Sequence, residues 1–230
     1  MNAKAKEILE ILRNFYKINL NDFAVISVSE KEFDIFKTLV ITILTQNSTD
    51  KAALRAFKRL ETLTKITPQN IVNLDTSLLK NAIREAGLHN TKAKALKELS
   101  KIIITKYNGS LDFILKMDME KARKILMSLP KVGPKTADVI LLMLGKMPTI
   151  PIDTHINRVS KRLGLVPQKS NYENTRSTLM KLYNPNEYLE VHLLLIQHGR
   201  KTCKAINPKC LTCPLNKLCD YYSLIKNKNP

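Results

Sequence analysis

The chain has 230 residues, which is enough to bury a sizeable core in one large domain or two small ones. Its formal net charge of +18 at pH 7 predicts a polyanionic partner, first nucleic acid and second an anionic membrane surface, although a lysine-rich solvated surface would also explain it. The sequence shows no apolar run long enough to span a membrane and no secretory signal, so we expect a cytoplasmic protein, or a nuclear one in a eukaryote, with no membrane partner.

The spacing of the apolar residues predicts an all-α fold. Glycine is scarce, with 6 residues, and the alternating pattern of β-branched residues that is typical of strands is rare. The stretch from Phe33 to Thr45 is densely apolar and is expected to form a buried central helix. Helices are expected over residues 2–16, 33–45, 50–63, 76–86, 90–107, 118–129, 134–144, 153–163, 172–183 and 186–198.

Two loops that follow predicted helices carry candidate contact residues. Gln46 and Asn47 follow the central helix, and ordinary loop capping explains both amides from the local sequence alone. Leu88 follows Gly87 and precedes Asn90, which is expected to cap the next helix; a leucine there often covers a helix end. Insertion into DNA is the alternative function of Gln46 and Asn47.

The stretch from Leu129 to Leu142 predicts a helix end, a tight turn and a new helix. Pro130 stops the first helix, and Gly133 is expected to supply the backbone freedom that the turn needs. Pro134 suits the first position of the second helix, where its missing N–H costs nothing.

This turn is a candidate anion site. The N–H groups at a helix N-terminus lack intrahelical partners, so we expect the turn residues Lys131, Val132 and Gly133 to hold a DNA phosphate. Lys135 lies in the first turn of the new helix, where the helix dipole disfavours its protonated form and should lower its pKa. A lysine that loses its proton near neutral pH can act as a nucleophile.

Asp153 follows an extended, proline-containing connection and precedes a predicted helix. From local sequence it is an N-cap residue. A carboxylate in that position keeps a low pKa and stays ionised, so it could also stabilise positive charge that develops on a substrate.

Four cysteines lie in one short segment with the spacing C-x6-C-x2-C-x5-C, namely Cys203, Cys210, Cys213 and Cys219. Four thiolates in one loop suit zinc or an iron–sulfur cluster, and the chemistry of the residues does not choose between them. Lys204 and Lys209 lie within the segment and are expected to bind phosphates.

Four separated stretches together resemble the endonuclease III family of DNA glycosylases, namely the loop at Gln46, the loop at Leu88, the hairpin through Asp153 and the cysteine segment. L-P-K-V-G-P-K-T-A at 129–137 is similar to the family's L-P-G-V-G-x-K-T-A, and I-D-T-H-I-N-R-V at 152–159 is similar to V-D-T-H-I-x-R-V. G-L-H-N-T-K-A at 87–93 matches the loop G-L-x-N-x-K-A, and H-G-R-K-T-C at 198–203 opens a cysteine segment with the family's spacing. There are three departures: Ile152 stands where the family has valine, Lys131 stands where it has glycine, and Asn47 fills the slot of its glutamine, with Gln46 one place earlier.

The resemblance implies roles for these residues. Lys135 would be the nucleophile and Asp153 the second catalytic residue. Gln46 or Asn47 would fill the gap that an extruded base leaves, and Leu88 would wedge between bases. The four cysteines would hold a [4Fe–4S] cluster that staples the C-terminal loop.

The resemblance also implies a fold and an activity. A six-helix domain would cover about 33–147 and would contain a helix-hairpin-helix over about 119–145. Residues 1–32 and 148–230 would form a second helical domain, which carries the cluster loop at 203–219. A DNA-binding cleft would separate the two domains. The implied activity, in a monomer, is removal of oxidised pyrimidines from double-stranded DNA and cleavage of abasic sites by β-elimination through a lysine Schiff base. The alternatives are a monofunctional mismatch-specific glycosylase of the same superfamily, whose members generally lack the lysine, and a non-enzymatic helix-hairpin-helix DNA-binding protein.

Overall fold

The computed structural model describes residues 3–226, apart from the side chains of Glu30 and Glu32. Within these residues the fold is all-α, as predicted, with thirteen α-helices and no strand. The predicted helix start at Asn2 lies outside the described residues. The helices are α1 (Ala3–Phe15), α2 (Ala24–Glu32), α3 (Ile35–Thr45), α4 (Asp50–Leu63), α5 (Pro68–Asn73), α6 (Thr76–Ala82), α7 (His89–Tyr107), α8 (Met119–Met127), α9 (Pro134–Met143), α10 (Thr154–Arg162), α11 (Tyr172–Leu182), α12 (Tyr188–Lys201) and α13 (Asp220–Lys226).

The chain divides into two compact units. The central unit is Asn19–Met147, and the terminal unit is Met1–Ile18 together with Pro148–Pro230. This division differs from the expected boundary at residue 33, because α2 buries Ala24 and Val28 in the same apolar core as α3. Residues 33–147 also hold seven α-helices, α3–α9, where six were expected; α5 and α6 are short, with 6 and 7 residues.

Helix α3 is the centre of the central unit. Every residue of α3 except Lys37 and Thr45 is buried, and the helix packs against α2, α4, α7 and α9. The helix begins at Ile35, later than predicted, since the Asp34 carboxylate accepts the Lys37 N–H as its N-cap. Phe33, predicted inside this helix, instead ends α2 in a left-handed conformation and is 58% exposed.

The segment between α6 and α7 departs from the predicted helices. Helix α6 ends at Ala82, and a short 3-10 helix, Arg84–Ala86, continues to Gly87. Leu88 then occupies the N-cap position of α7 with no side-chain cap, so the expected capping role of Asn90 is wrong. Asn90 lies one residue inside the helix because the left-handed Leu88 turns the chain directly into α7.

Helices α8 and α9 form the hairpin that the sequence predicts. Their apolar faces join the core of the central unit through residues such as Leu126 and Ile140. A buried ion pair also links them: Arg123 Nε donates to Asp138 Oδ1 at 2.9 Å, and its Nη2 donates to Oδ2 at 3.2 Å. Two parallel bonds of this kind fix orientation as well as distance.

The terminal unit packs α1 and α10 against α12. Helix α1 buries Ile8, Leu9 and Leu12. Gly199 allows the close approach of α10, since a Cβ at that position would lie 2.7 Å from the Cβ of His155. No helix in the part of the chain described here is both long enough and apolar enough to cross a membrane.

Candidate functional site

The tight turn between α8 and α9 is built differently from the expectation. Gly133 has φ −89° and ψ −179°, an extended conformation that any residue can adopt, so the expected need for glycine freedom there is wrong. The left-handed residue is Lys131, with φ 61°. A lysine can take this conformation only at some steric cost, which explains why a glycine would suit position 131.

The turn offers part of the expected anion site. The Val132 N–H donates to the Leu129 carbonyl at 3.1 Å and its side chain is buried, so this N–H is already used inside the protein. Gly133 is exposed, and a Cβ built on it would meet no atom within 4 Å. No side chain caps the first turn of α9, which starts with Pro134. The space beside Gly133 and the positive end of the helix dipole therefore favour an anion at this point.

Lys135 is the second residue of α9 and is half-buried. Its neighbours in the helix, Thr136, Ala137 and Asp138, are buried. The helix start thus holds the lysine at the edge of the core, directly after the exposed turn.

The Gln46 loop, residues 46–49, places its two amides differently. Gln46 is half-buried, and its Nε2 donates to the Lys131 carbonyl at 3.1 Å, which joins this loop to the hairpin turn. Asn47 is exposed and left-handed, with φ 52°. Thr49 caps α4 by accepting the Ala52 N–H. Of the two candidate amides, Asn47 is therefore the one presented to solvent.

The Leu88 loop, Gly87 and Leu88, presents an apolar side chain outward. Leu88 has φ 47° and is 56% exposed. A leucine combining positive φ with exposure is uncommon, because both features cost free energy. The left-handed backbone therefore holds an apolar side chain out in solvent, where it is accessible to a partner.

A buried lysine that the sequence analysis did not single out connects two of these loops. Lys92 Nζ donates to the carbonyl oxygens of Leu44 and Ala86, each at 2.8 Å. Leu44 precedes the Gln46 loop, and Ala86 precedes the Leu88 loop. Together with the Gln46–Lys131 bond, these contacts tie three loops of the central unit together. The lysine of the G-L-x-N-x-K-A match is the sequence signal that could have revealed it.

Asp153 lies in the terminal unit as the N-cap of α10. Its Oδ1 accepts the Ile156 N–H at 2.7 Å, as expected of a capping carboxylate. It is half-exposed and lines a surface pocket with Asn157 and Tyr172. A negative charge at a helix N-terminus is favourable, so the position suits an ionised group.

The four cysteines line one small cavity of about 20 Å³ in the terminal unit, whose other lining residues include Arg162 and His198. All four are free thiols. Among the residues that the structure describes, no three His, Cys, Asp or Glu side chains are placed as the ligands of a single metal ion would be. Four thiols around one cavity suit a group with several metal atoms, since each iron of a cluster takes its own thiolate.

The electrostatics of the cavity also fit such a group. Burial raises the pKa of Cys213 to about 11, and the neighbouring cysteines contribute to the increase. Burial likewise raises the pKa values of the Cys210 and Cys219 thiols, again with contributions from neighbouring cysteines. Converging thiols that resist ionisation need positive charge among them, which bound iron supplies.

Other side chains around the cavity were not anticipated. Arg158 donates to the carbonyl oxygens of Cys203 and Gly199, each at 3.0 Å, and Arg162 Nη1 lies 3.4 Å from Cys203 Sγ. His198 Nε2 lies 3.7 Å from Cys213 Sγ, and burial lowers the pKa of His198 to about 4, which keeps the ring neutral. Sequence alone placed these residues only within helices.

Lys204 and Lys209 have exposed side chains on the cysteine loop. Their backbone N–H groups both donate to the Thr202 carbonyl, at 2.9 and 3.0 Å. The loop backbone therefore holds the two lysines at fixed positions, and both ammonium groups are available to solvent-borne anions.

Comparison with known families agrees with this geometry. The model of the HhH-GPD superfamily base excision DNA repair proteins matches residues 40–185, and that of the iron–sulfur binding domain of endonuclease III matches residues 203–219. The second match confirms the predicted iron–sulfur cofactor.

Individual relatives point the same way. Endonuclease III of Sulfolobus acidocaldarius is 39% identical over 219 residues, which cover 95% of this chain and 96% of the relative. Endonuclease III of Rickettsia conorii is 39% identical over 193 residues, covering 83% of this chain and 86% of the relative. A solved non-covalent endonuclease III–DNA complex superposes with a TM-score of 0.81 at 30% identity, covering 99% of this chain and 100% of that one.

Proposed function

The chain belongs to the endonuclease III family of base excision DNA repair proteins, and we propose that it is a bifunctional DNA glycosylase and abasic-site lyase. One observation carries the proposal beyond the family match. Three loops that are distant in sequence are joined by hydrogen bonds on the central unit, and Lys135 follows the last of them.

Lys135 supplies the nucleophile. A damaged nucleotide leaves the duplex, which gives the protein access to its C1′. The Lys135 amine attacks C1′, the bond from C1′ to the base breaks, and the base leaves with the bonding electrons and takes up a proton. The attacking nitrogen gives up a proton, the C1′–O4′ bond opens, and O4′ takes up a proton, which leaves a Schiff base between Lys135 and C1′. Loss of a C2′ proton then expels the 3′ phosphate and cuts the strand, and water hydrolyses the Schiff base to free the lysine.

Asp153 supplies negative charge to the reaction. An ionised carboxylate stabilises the positive charge that develops at C1′ as the base departs. The bond from the Ile156 N–H holds one carboxylate oxygen and leaves the other oxygen for this purpose.

The loops of the central unit engage the duplex. Exposed Asn47 fills the gap left by the extruded base, while Gln46 braces the hairpin through the Lys131 carbonyl. Leu88 wedges between the neighbouring bases. The turn at Lys131 and Gly133 holds a phosphate, with Val132 contributing its buried side chain to the turn instead of its N–H.

Cys203, Cys210, Cys213 and Cys219 are the residues that would hold a [4Fe–4S] cluster. Bound there, the cluster supplies a covalent cross-link between the two ends of the loop. The loop then carries Lys204 and Lys209 as phosphate-binding groups.

The nucleophile is tested by borohydride trapping on a duplex with one abasic site. Wild type should form a covalent adduct, and Lys135→Gln should form none while still binding the duplex. Lys121→Gln is the matched control, because it removes one exposed positive charge from α8, in the same hairpin, at a position with no assigned role. It should form the adduct at the wild-type rate.

Two results would contradict the proposal. An adduct with Lys135→Gln would show that another amine is the nucleophile. Tight binding by wild type without any adduct would exclude the lyase step and favour a monofunctional glycosylase, for which mismatched duplexes are the appropriate substrates.

We also propose that the substrates are oxidised or ring-saturated pyrimidines and abasic sites in double-stranded DNA. Duplexes that carry one thymine glycol, one oxidised purine or one mismatch should be cut in the first case only. The protein is proposed to act as a monomer on chromosomal DNA, in the cytoplasm of a prokaryote or the nucleus of a eukaryote. Light scattering at the assay concentration should give the mass of one chain.

A further inference from the structure

Lys92 is a buried cation that the proposed reaction does not use. Its side chain lies in the first turns of α7 and the residue is only 4% exposed. Burial lowers the pKa of Lys92 to about 8, so the ammonium still holds its proton at pH 7. A buried charge is costly unless its donors are satisfied, and here two of the three N–H groups of the ammonium donate to backbone carbonyls.

The two carbonyls belong to helix ends. Leu44 lies in the last turn of α3, and Ala86 ends the 3-10 helix Arg84–Ala86. Carbonyls at a helix C-terminus lack intrahelical donors and carry the negative end of the dipole. One ammonium therefore caps two helices that are 42 residues apart in sequence.

Each capped carbonyl comes just before a strained, exposed residue. Asn47 follows Leu44 by three residues with φ 52°, and Leu88 follows Ala86 by two residues with φ 47°. The contacts of Lys92 therefore fix the points from which both loops leave the core.

We propose that Lys92 is a positioning residue that holds the Gln46 loop and the Leu88 loop at one fixed spacing, so that Asn47 and Leu88 enter the duplex as a single unit. This role rests on the proposed DNA contacts of those two side chains. Without the ammonium, the two helix ends lose their shared donor, and each loop moves independently of the other.

The chain offers a matched control on the same helix. Lys97 also donates from Nζ to two backbone carbonyls, those of Val72 and Leu74 at the end of α5. Neither carbonyl precedes a loop with a proposed DNA contact. Lys97→Met therefore removes the same chemistry from α7 without releasing either loop.

The experiment compares wild type, Lys92→Met and Lys97→Met on two duplexes. One carries a tetrahydrofuran abasic analogue opposite 2-aminopurine, and the other is the same duplex without damage. Wild type and Lys97→Met should prefer the abasic duplex and raise the 2-aminopurine fluorescence as the bases unstack. Lys92→Met should lose roughly tenfold of that preference and most of the fluorescence rise, with its affinity for undamaged DNA unchanged.

The outcomes separate the claims. If Lys92 had only a structural role, both variants would have lower melting temperatures and would keep the preference for the abasic duplex. An equal preference for the abasic duplex in Lys92→Met and Lys97→Met would therefore overturn the positioning role of Lys92. No preference in wild type would overturn the proposed function itself, and the role of Lys92 with it.

A second measurement applies if Lys92→Met does not fold. In the natural Lys92 background, Asn47→Ala, Leu88→Ala and the double variant are compared for the same preference. If the two loops insert as one unit, the double variant should lose hardly more of the preference for the abasic duplex than the more strongly affected single variant does. Losses that multiply would show independent loops and overturn the proposal.

Discussion

At the scale of single residues, Asp153 combines two properties that can be separated by substitution. Its oxygen accepts an N–H at the start of α10, and its charge is the property that the proposed reaction needs. Asparagine and aspartate cap helices about equally well, whereas only aspartate is ionised.

We therefore predict different effects for two substitutions of Asp153. Asp153→Asn should lose only the favourable interaction of the charge with the helix dipole, about 0.5 kcal/mol, while Asp153→Ala should cost about 1 kcal/mol more because the cap is also lost. Both should slow base removal by about 10²–10³-fold, since the stabilising charge is gone from each. Thermal unfolding and single-turnover kinetics measure the two effects side by side. If Asp153→Asn retained full activity, the residue would be a cap and nothing more.

Single residues also show where sequence reasoning stops. The motif match located Lys131, Gly133 and Lys135, but it did not reveal which residue turns left-handed, because φ follows from how α8 and α9 pack. The match also contained Lys92, whose two acceptors lie 48 and 6 residues away along the chain. Contacts of that range are not visible in a local pattern.

At the scale of elements, the buried pair between Arg123 and Asp138 holds the two hairpin helices together. Their side chains are only 9% and 0% exposed. Removing one partner would take the two hydrogen bonds of this pair away from a charge that stays buried, which costs more than the pair itself contributes.

We predict that Arg123→Met and Asp138→Leu each destabilise the protein by about 3–5 kcal/mol. The double variant should be clearly more stable than the sum of the two effects implies, because neither buried charge remains. Arg13→Met is the control: it breaks the surface ion pairs of Arg13 with Glu187 and Glu190 and should cost about 1 kcal/mol or less. Chemical denaturation of all four variants gives the comparison. Additive losses would mean that the two side chains act separately.

Helices themselves were predictable from apolar spacing, but several of their ends were not. The burial of α3 follows from its composition, whereas its start at Ile35 depends on the capping carboxylate of Asp34. The start of α7 depends on the left-handed Leu88, which no capping pattern indicates. Helix ends are decided by caps and tertiary contacts that compete closely with one another.

At the scale of the whole molecule, the all-α class and the family followed from four separated motifs in compatible order. The boundary between the two units was predicted less accurately from the sequence, at residue 33 instead of residue 19. The packing of residues 19–32 on α3 is a tertiary contact that a local pattern does not show. The net charge of +18 indicated a polyanion but not where it binds. Two positions on the cysteine loop, Lys204 and Lys209, make that question testable.

We predict that DNA binding weakens steeply with salt, by about 10³–10⁵-fold between 50 and 200 mM for 6–10 phosphate contacts. Lys204→Gln with Lys209→Gln should reduce the slope of log affinity against log salt by about 2, since each lysine releases about one counterion. Lys58→Gln with Lys65→Gln makes the same charge change on exposed residues at and after α4. Titrations by fluorescence anisotropy at four salt concentrations give the slopes. If the two double variants had equal slopes of log affinity against log salt, the cysteine loop would not be part of the DNA-binding surface.

The terminal unit is assembled from two separate segments of the chain, and this matters during synthesis. Helix α1 buries Ile8, Leu9 and Leu12 and packs against α12, which is complete only after the ribosome has passed residue 201. At ordinary translation rates that delay is roughly 10–30 s. The contiguous central unit can complete its core during this interval. We therefore expect the nascent chain to fold from its middle outward, with α1 as the segment that a chaperone would shield.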